Sequence, residues 1–370
     1  MTTKIHLGVL FGGRSGEHEV SLSSAHSVIS VLDPDKYEVI QIGITHQGEW
    51  YSGPDTLTNF KQGTLQNLDR VTLIPEPGKN ILYKRVPQGE FEGLIPIITL
   101  DVIFPVLHGS YGEDGTLQGL LEMVDIAYVG AGVAGSSVAM DKSIFKEIMR
   151  ANNIPVVDWL ICTRQQIEKD MNEIISRAEK VSAYPLFTKP ANLGSSVGIS
   201  KCKNRSDLIE GMMEAARYDR RILIEKGINA REIEVSVLGN ENAQASIPGE
   251  IIPSDEFYSY RAKYLDGKSE LLIPAPLSED QVEQIQNLAL RAYHATDCAG
   301  MARIDFLLEK DSGDLFINEA NTIPGFTNIS MYPKLWEASG IQYPQLVDKL
   351  IELALERKNE RDRSERIYRQ

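Results

Sequence analysis

The sequence predicts an α/β protein built from two or three packed domains. Three observations point there. The chain opens strand–helix–strand, which begins an open α/β sheet. Buried apolar runs of strand length then alternate with amphipathic helices. Its 370 residues suit two or three domains rather than one core. Hydrophobic content of 42% and charged content of 24% are ordinary for a globular chain.

The bulk numbers exclude several classes. A net charge of −14 argues against a general nucleic-acid binder. It leaves ATP open, because a phosphate site needs only local lysines and backbone N–H groups. Cys162, Cys202 and Cys298 are scattered, with no C-x-x-C, so they form neither a disulfide framework nor a cysteine zinc site. No apolar run approaches the roughly 18 residues of a membrane span. Met1 to Lys4 enters a strand directly, with no signal peptide. A cytoplasmic enzyme without membrane or nucleic-acid partners is the expectation.

The first predicted strand is Ile5 to Phe11, followed by Gly12-Gly13-Arg14-Ser15-Gly16-Glu17. A helix runs to about Leu32, with Leu22, Ala25, Val28, Ile29 and Leu32 on one face. Tyr37 to Thr45 is the second strand. Ligands bind at the carboxyl edge of such a sheet, where glycines permit close backbone approach. Glu17 lies at that mouth, where it can hold an ammonium group or compensate the helix N-terminus. Residues 46 to 99 read as irregular. Asp101 to Leu107 is another strand, and His108 ends it in a glycine-rich turn where a substrate would lie. A lone histidine there is more often structural. Gly130 to Gly135 matches G-x-G-x-x-G, but late in its domain. Asp158 lies further on than the roughly 20 residues the dinucleotide pattern prefers. Tight helix–sheet packing explains those glycines better than a nicotinamide cofactor.

In the middle, Met140-Asp141-Lys142 opens a helix to about Asn152, and Val157 to Cys162 is a strand. Thr163 to Gln166 is a capping box that starts one helix carrying Ile167, Met171, Ile174, Ile175 and Ala178. Two short strands flank a Gly/Ser flap, Gly194-Ser195-Ser196, with Lys189 just before it. Such a loop turns N–H groups and hydroxyls towards phosphate, and the lysine adds a point charge. No P-loop motif occurs. After a helix from Arg205 to Ala216, the strand Arg221 to Ile228 ends in Glu225-Lys226-Gly227, which can offer backbone groups to an adenine edge. Residues 252–268 are long and polar and carry Tyr258, Tyr260 and Tyr264, as a mobile lid would.

Ser278 to Gln281 is a second capping box and helix start. The stretch from Met301 to Gly325 reads as two strands joined by Lys310-Asp311-Ser312-Gly313. Strand side chains alternate faces, so Arg303 and Asp305 point one way, as do Glu319 and Asn321. Paired, the strands gather Asp305, Glu319 and Asn321 on one face. Three oxygen donors beside an arginine suit a hard cation holding a polyphosphate. A last helix runs from Pro344 to about Glu356. The tail beyond it reads as a solvated helix extension or disordered.

Taken in order, these motifs resemble the D-alanine–D-alanine ligases of the ATP-grasp superfamily. The resemblance rests on residues 12–21, His108-Gly109 with Gly112-Glu113-Asp114-Gly115, Met140-Asp141-Lys142, Lys189-Pro190 with residues 194–198, and residues 318–325. It spans Leu10 to about Leu355. It implies an ATP-grasp fold of mixed α/β type, with the nucleotide held between central and C-terminal domains. The implied boundaries are 1–138, 139–222, 223–356 with the lid at 252–268, and a charged tail at 357–370.

The family phosphorylates one D-alanine carboxylate with ATP, and the amine of a second D-alanine attacks the acyl phosphate. By resemblance, Asp305, Glu319 and Asn321 hold two magnesium ions, with manganese as a substitute. Lys142, Lys189 and Lys263 contact phosphates. Glu225, with the backbone at Lys226 and Ile228, reads adenine, and Glu232 takes the ribose hydroxyls. Glu17 holds the first D-alanine's ammonium in a chain with Ser195 and Tyr264, with His108 nearby. Arg303 and the Gly325 N–H serve as oxyanion donors. Ser330 and the Met331 backbone take the second D-alanine's carboxylate. The resemblance also implies a homodimer and a product that feeds peptidoglycan precursors. Tyrosine at position 264 goes with dipeptide formation, and phenylalanine there with D-lactate as second substrate. Two residues depart from the family pattern. Arg261 bears on the lid's closure, and Thr188 reads as a packing change. A D-alanine–D-lactate ligase, a nicotinamide-dependent dehydrogenase resting on the glycines at 130–135, and a non-catalytic ATP-binding regulator are the rivals. The complete set Glu17, Ser195, Arg303, Asp305, Glu319 and Asn321 speaks against the regulator.

Overall fold

The computed structural model describes residues 4–195, 197–252, 270–327 and 329–365. Three sheets carry the fold. The first is built from β1 (Ile5–Gly12), β2 (Tyr37–Ile44), β3 (Trp50–Ser52), β4 (Asp69–Thr72), β5 (Ile81–Gln88), β6 (Phe91–Thr99), β7 (Val102–Pro105) and β8 (Ala127–Tyr128), in the order β6-β5-β4-β3-β2-β1-β7-β8. Its helices are α1 (His18–Ile29), α2 (Thr56–Gln62) and α3 (Thr116–Val124). Strands β1, β2, β7 and β8 pair in parallel, so their following loops share one edge. The Glu17 and His108 loops are both on that edge.

Residues 46–99 correct the sequence reading, because they form β3, α2, β4 and the β5–β6 hairpin. Strands β3 and β4 are too short to show a period. In β6, Leu94, Ile95 and Ile97 are all exposed, so no inside–outside alternation marks the strand.

Helices α4 (Val133–Met140) and α5 (Lys142–Ala151) lead to the second sheet. It contains β9 (Trp159–Thr163), β10 (Leu186–Pro190), β11 (Ser200–Cys202) and β12 (Arg221–Lys226), ordered β11-β10-β12-β9. Its helices are α6 (Arg164–Lys169), α7 (Met171–Val181) and α8 (Arg205–Tyr218). The helix expected after Thr163 is thus two. Asp170 leaves the helical backbone at φ −153° and its carboxylate caps Glu173 N–H, which restarts the chain as α7. Gly135 on α4 settles the glycine run. A Cβ there would stand 2.5 Å from Asp297 O, so the glycine serves close packing. Thr188 is fully buried on β10 with its hydroxyl facing Cys202, in keeping with a packing change.

The third sheet holds β13 (Ala230–Gly239), β14 (Gln244–Ala245), β15 (Gly249–Ile252), β16 (Glu270–Leu272), β17 (Gly300–Glu309) and β18 (Leu315–Asn321). Helices α9 (Glu279–Ala295), α10 (Met331–Ala338) and α11 (Tyr343–Asp362) complete it. The order is β16-β15-β13-β17-β18, with β14 on β13. Strand β13 was not anticipated. A core runs from this sheet into the first, joining Leu7, Val9 and Phe104 to Met301, Phe326 and Tyr332. Phe326 meets Phe104 edge-on at 5.9 Å. Each fully buried aromatic of this kind contributes roughly 1.5–3 kcal/mol. The start of the charged tail is not merely solvated. It continues α11, where Arg357 lies over Tyr128 and Arg361 pairs with Glu122 and Asp125 of the first sheet's layer.

Candidate active site

The β17–β18 hairpin gathers its polar residues as the alternation predicts. Asp305 stands opposite Glu319, and Arg303 opposite Asn321, with an irregularity just after Asp305. The Arg303 guanidinium grips Asp305 with Nε at 2.8 Å and Nη2 at 2.7 Å. It also reaches Glu234 of β13 at 2.9 Å. Asn321 donates to Asp305 at 3.0 Å. Burial alone would lower the Arg303 pKa, but Asp305 and Glu234 outweigh it and raise it well above the ordinary value. Arg303 is therefore a fixed cation. The oxygens of Asp305, Glu319 and Asn321 fit a hard divalent cation by type and by their shared face.

Lysines of the second domain meet this hairpin. Lys142 follows the Asp141 N-cap of α5, which accepts from Ser143 and Ile144 N–H and pairs with Arg221. That fixes the first turn, and Lys142 Nζ reaches Glu319 at 3.4 Å and Leu193 O at 2.9 Å. One turn later, Lys146 lies buried 3.2 Å from Glu225. Lys189 of β10 pairs with the same carboxylate. Burial alone would raise the Glu225 pKa, but the two lysines outweigh it and bring it down to about 2. Burial would lower the Lys189 pKa, and Glu225 reverses the sign. Lys226 N–H is committed to Asp158 O. Lys142, Lys189, Glu225, Lys226, Ile228, Glu232, Asp305 and Glu319 line a cavity of about 650 Å³.

A second cavity, of about 430 Å³, adjoins it through Lys142, Ser195 and Glu319. Glu17, His108, Glu113, Arg303, Gly325, Ser330 and Met331 line it. Ser195 donates to the buried Glu17 carboxylate. Gly109, at φ +75°, leaves room for that carboxylate, since a Cβ there would sit 2.4 Å from Glu17 Oε2. His108 Nδ1–H donates to Ile323 O at 3.0 Å, and its Nε2 lies 3.0 Å from the Ser24 hydroxyl. Burial lowers the His108 pKa, so the imidazole is neutral. Burial and the Glu17 charge push the Glu113 pKa up to about 8, while Glu113 accepts from Gly109 and Ile323 N–H. Ser330 precedes α10, with Thr327 N–H on its hydroxyl at 3.1 Å.

Every predicted site residue among those described lines one of the two cavities. Lys263, Tyr264, Arg261 and nearly all of the lid lie outside the described residues. Lys146, Glu234 and Glu113 were missed as site residues. The spacing of Lys146, four after Lys142 on one helix, was a usable signal. Glu234 had none, because β13 was not recognised.

A family model described as D-ala D-ala ligase N-terminus matches residues 6–131, and one described as D-ala D-ala ligase C-terminus matches residues 148–352. The chain belongs to the D-alanine–D-alanine ligase family. It is 51% identical to the D-alanine–D-alanine ligase of Natranaerobius thermophilus over 98% of both chains. It is 52% identical to that of Thermoanaerobacter sp., over 97% of this chain and 99% of the relative. The solved D-alanine–D-alanine ligase of Coxiella burnetii superposes with TM-score 0.82 at 38% identity, covering 97% of this chain and 96% of that one. The VanG D-Ala:D-Ser ligase of Enterococcus faecalis superposes with TM-score 0.84 at 34% identity, covering 95% and 100%. The chain is thus a ligase that joins two D-alanines for cell-wall synthesis, with the mixed α/β fold of its family. Membership implies ATP and a divalent metal as well as D-alanine. The D-lactate alternative is not favoured, and no relative here supports a dehydrogenase. Among the described residues, no helix is long and apolar enough to cross a membrane.

Proposed function

We propose that the two adjoining cavities are the nucleotide and D-alanine halves of one ligase site, with the Arg303–Asn321 hairpin as their shared wall. The observation that carries this reading is the grouping of Arg303, Asp305, Glu319 and Lys142 where the cavities meet. Glu225, Lys226 and Ile228 take adenine, Glu232 the ribose, and Lys142, Lys189 and Lys263 the phosphates. Asp305, Glu319 and Asn321 would hold two magnesium ions, which when bound supply charge neutralisation of the triphosphate. The domain boundaries are those expected from sequence, 1–138, 139–222 and 223–356.

Glu17 receives the ammonium of the first D-alanine, and Ser195 orients that carboxylate. Glu113 retains its proton near pH 7, given a pKa of about 8. Glu17 is then the ammonium's anionic partner, without a second charge competing beside it. Neutral His108, fixed through both ring nitrogens, forms a wall rather than a proton carrier. Its first-substrate carboxylate faces the nucleotide half, where phosphoryl transfer makes the acyl phosphate. Ser330 and the Met331 backbone hold the second D-alanine's carboxylate so that its amine attacks that carbon. Arg303 and Gly325 N–H meet the oxyanion, and phosphate leaves. A cytoplasmic homodimer follows the family expectation.

The deciding experiment is phosphate release from ATP and magnesium across a panel of D- and L-amino acids. Release should depend on D-alanine, and its absence would sink the reading. Product analysis near pH 7 with D-lactate present separates the depsipeptide alternative. A dominant depsipeptide would overturn the choice of D-alanine as second substrate.

A further inference from the structure

We propose that His18, His46 and Glu19 form a binding site for a divalent first-row transition cation of the zinc class, separate from the hairpin. His18 and Glu19 come from the first turn of α1, which follows β1, and His46 from the turn after β2, beside it at the carboxyl ends of these parallel strands. One donor atom from each lies within 4.8 Å of the other two. His18 is the first residue of α1 and is 6% exposed. Its Nδ1 sits 2.9 Å from Gly13 O. A carbonyl only accepts, so Nδ1 carries the proton and Nε2 keeps its lone pair. A backbone carbonyl on the remote ring nitrogen is how proteins orient a metal-ligating histidine.

His46 is exposed in the turn after β2, which Gly48 N–H closes on Thr45 O at 2.9 Å. Its ring lies 3.9 Å from that of His18, inclined by 27°. Stacking alone needs no third partner, yet the Glu19 carboxylate lies within reach of both rings. Two imidazoles and one carboxylate, with water in the fourth position, make a zinc donor set. Magnesium prefers oxygen ligands alone, so the two sites differ in the metal they select. The cation would tie the first turn of α1 to the β2–β3 turn. Both form one rim of the first sheet.

The test is calorimetric titration of the full chain with zinc chloride, comparing wild type, His46→Gln and Glu319→Gln. His46 is exposed and outside the proposed ligase machinery, so its variant should keep the wild-type thermal midpoint without zinc. The site predicts a one-to-one zinc event in wild type that survives Glu319→Gln and weakens at least about tenfold in His46→Gln. Hydrogen exchange of residues 13–19 and 45–48 should slow with zinc in wild type and not in His46→Gln. Zinc binding unchanged by His46→Gln, or lost only in Glu319→Gln, would overturn the proposal. So would a wild-type chain that shows no zinc event.

Discussion

Replacing Glu225 by glutamine removes one negative charge from between two buried lysines. Glu225 is 3% exposed, Lys146 stands 3.2 Å away, and Lys189 shares the carboxylate. Holding this carboxyl near 2 rather than near its ordinary 4.5 corresponds to about 3 kcal/mol. Breaking a buried ion pair from one side costs about 3–5 kcal/mol, which agrees. The pKa is depressed on folding, so this stability is complete above about pH 4.5 and is lost as pH falls towards 2. At pH 3 less than half of it should remain. A chain with three sheets need not unfold in one step, so the local measure is hydrogen exchange of the β10 and β12 amides. At pH 7 the variant's opening free energy should be lower by about 3 kcal/mol, and the gap should narrow in acid. A loss below about 1 kcal/mol at pH 7, or one equally large near pH 3, would refute the charge reasoning.

Three further outcomes follow from the same geometry. Glu319→Gln should cut turnover at least about 10²-fold through lost charge stabilisation, and near-normal turnover would refute its metal role. Ser195→Ala should raise KM for the first D-alanine by about tenfold, the worth of one charge-assisted hydrogen bond, with little change in thermal midpoint; an unchanged KM would remove Ser195 from substrate binding. Glu113 has its pKa raised to about 8, so the folded chain binds this proton more tightly than the unfolded one, and stability falls as pH rises from about 4.5 to 8. Glu113→Gln mimics the protonated form and should gain on wild type in thermal midpoint between pH 6 and pH 9; parallel pH profiles would contradict the shifted carboxyl.

The parts legible in the sequence are those set by local periodicity. Arg303, Asp305, Glu319 and Asn321 were readable because strand alternation alone puts i and i+2 on one face. The Thr163 and Ser278 caps were readable because a capping box is a four-residue device. The break at Asp170 was not, since one aspartate had to win against a continuous apolar face. Strands β3, β4 and β6 were hidden because short or doubly exposed strands carry no alternation. Glu225 illustrates the remaining gap. Its sequence neighbours suggest an adenine edge, whereas its carboxylate is held by Lys146 from a helix and Lys189 from an adjacent strand. Such ion pairs depend on tertiary placement, which no local pattern encodes.

That pairing has a consequence for how the proposed ligands enter. Lys142 holds Glu319, Lys189 holds Glu225, and Arg303 holds Asp305. Cations proposed for phosphate and intermediate are thus already matched to carboxylates of the same region. Magnesium alone would have to draw Asp305 and Glu319 from their cations, leaving positive charge partly unmatched in a confined site. ATP alone would do the converse to Lys142 and Lys189. The two together exchange internal pairs for pairs with each other, so neither sign is stranded. Magnesium and nucleotide should therefore bind with positive coupling, equal in both directions by linkage. Titrating a non-hydrolysable ATP analogue with and without magnesium, in wild type and in Lys142→Met, measures that coupling. It should shrink in the variant, which lacks the Lys142–Glu319 pair. A coupling unchanged by Lys142→Met would show that the free nucleotide's own affinity for magnesium, and not the ion pairs of the protein, sets the order of assembly.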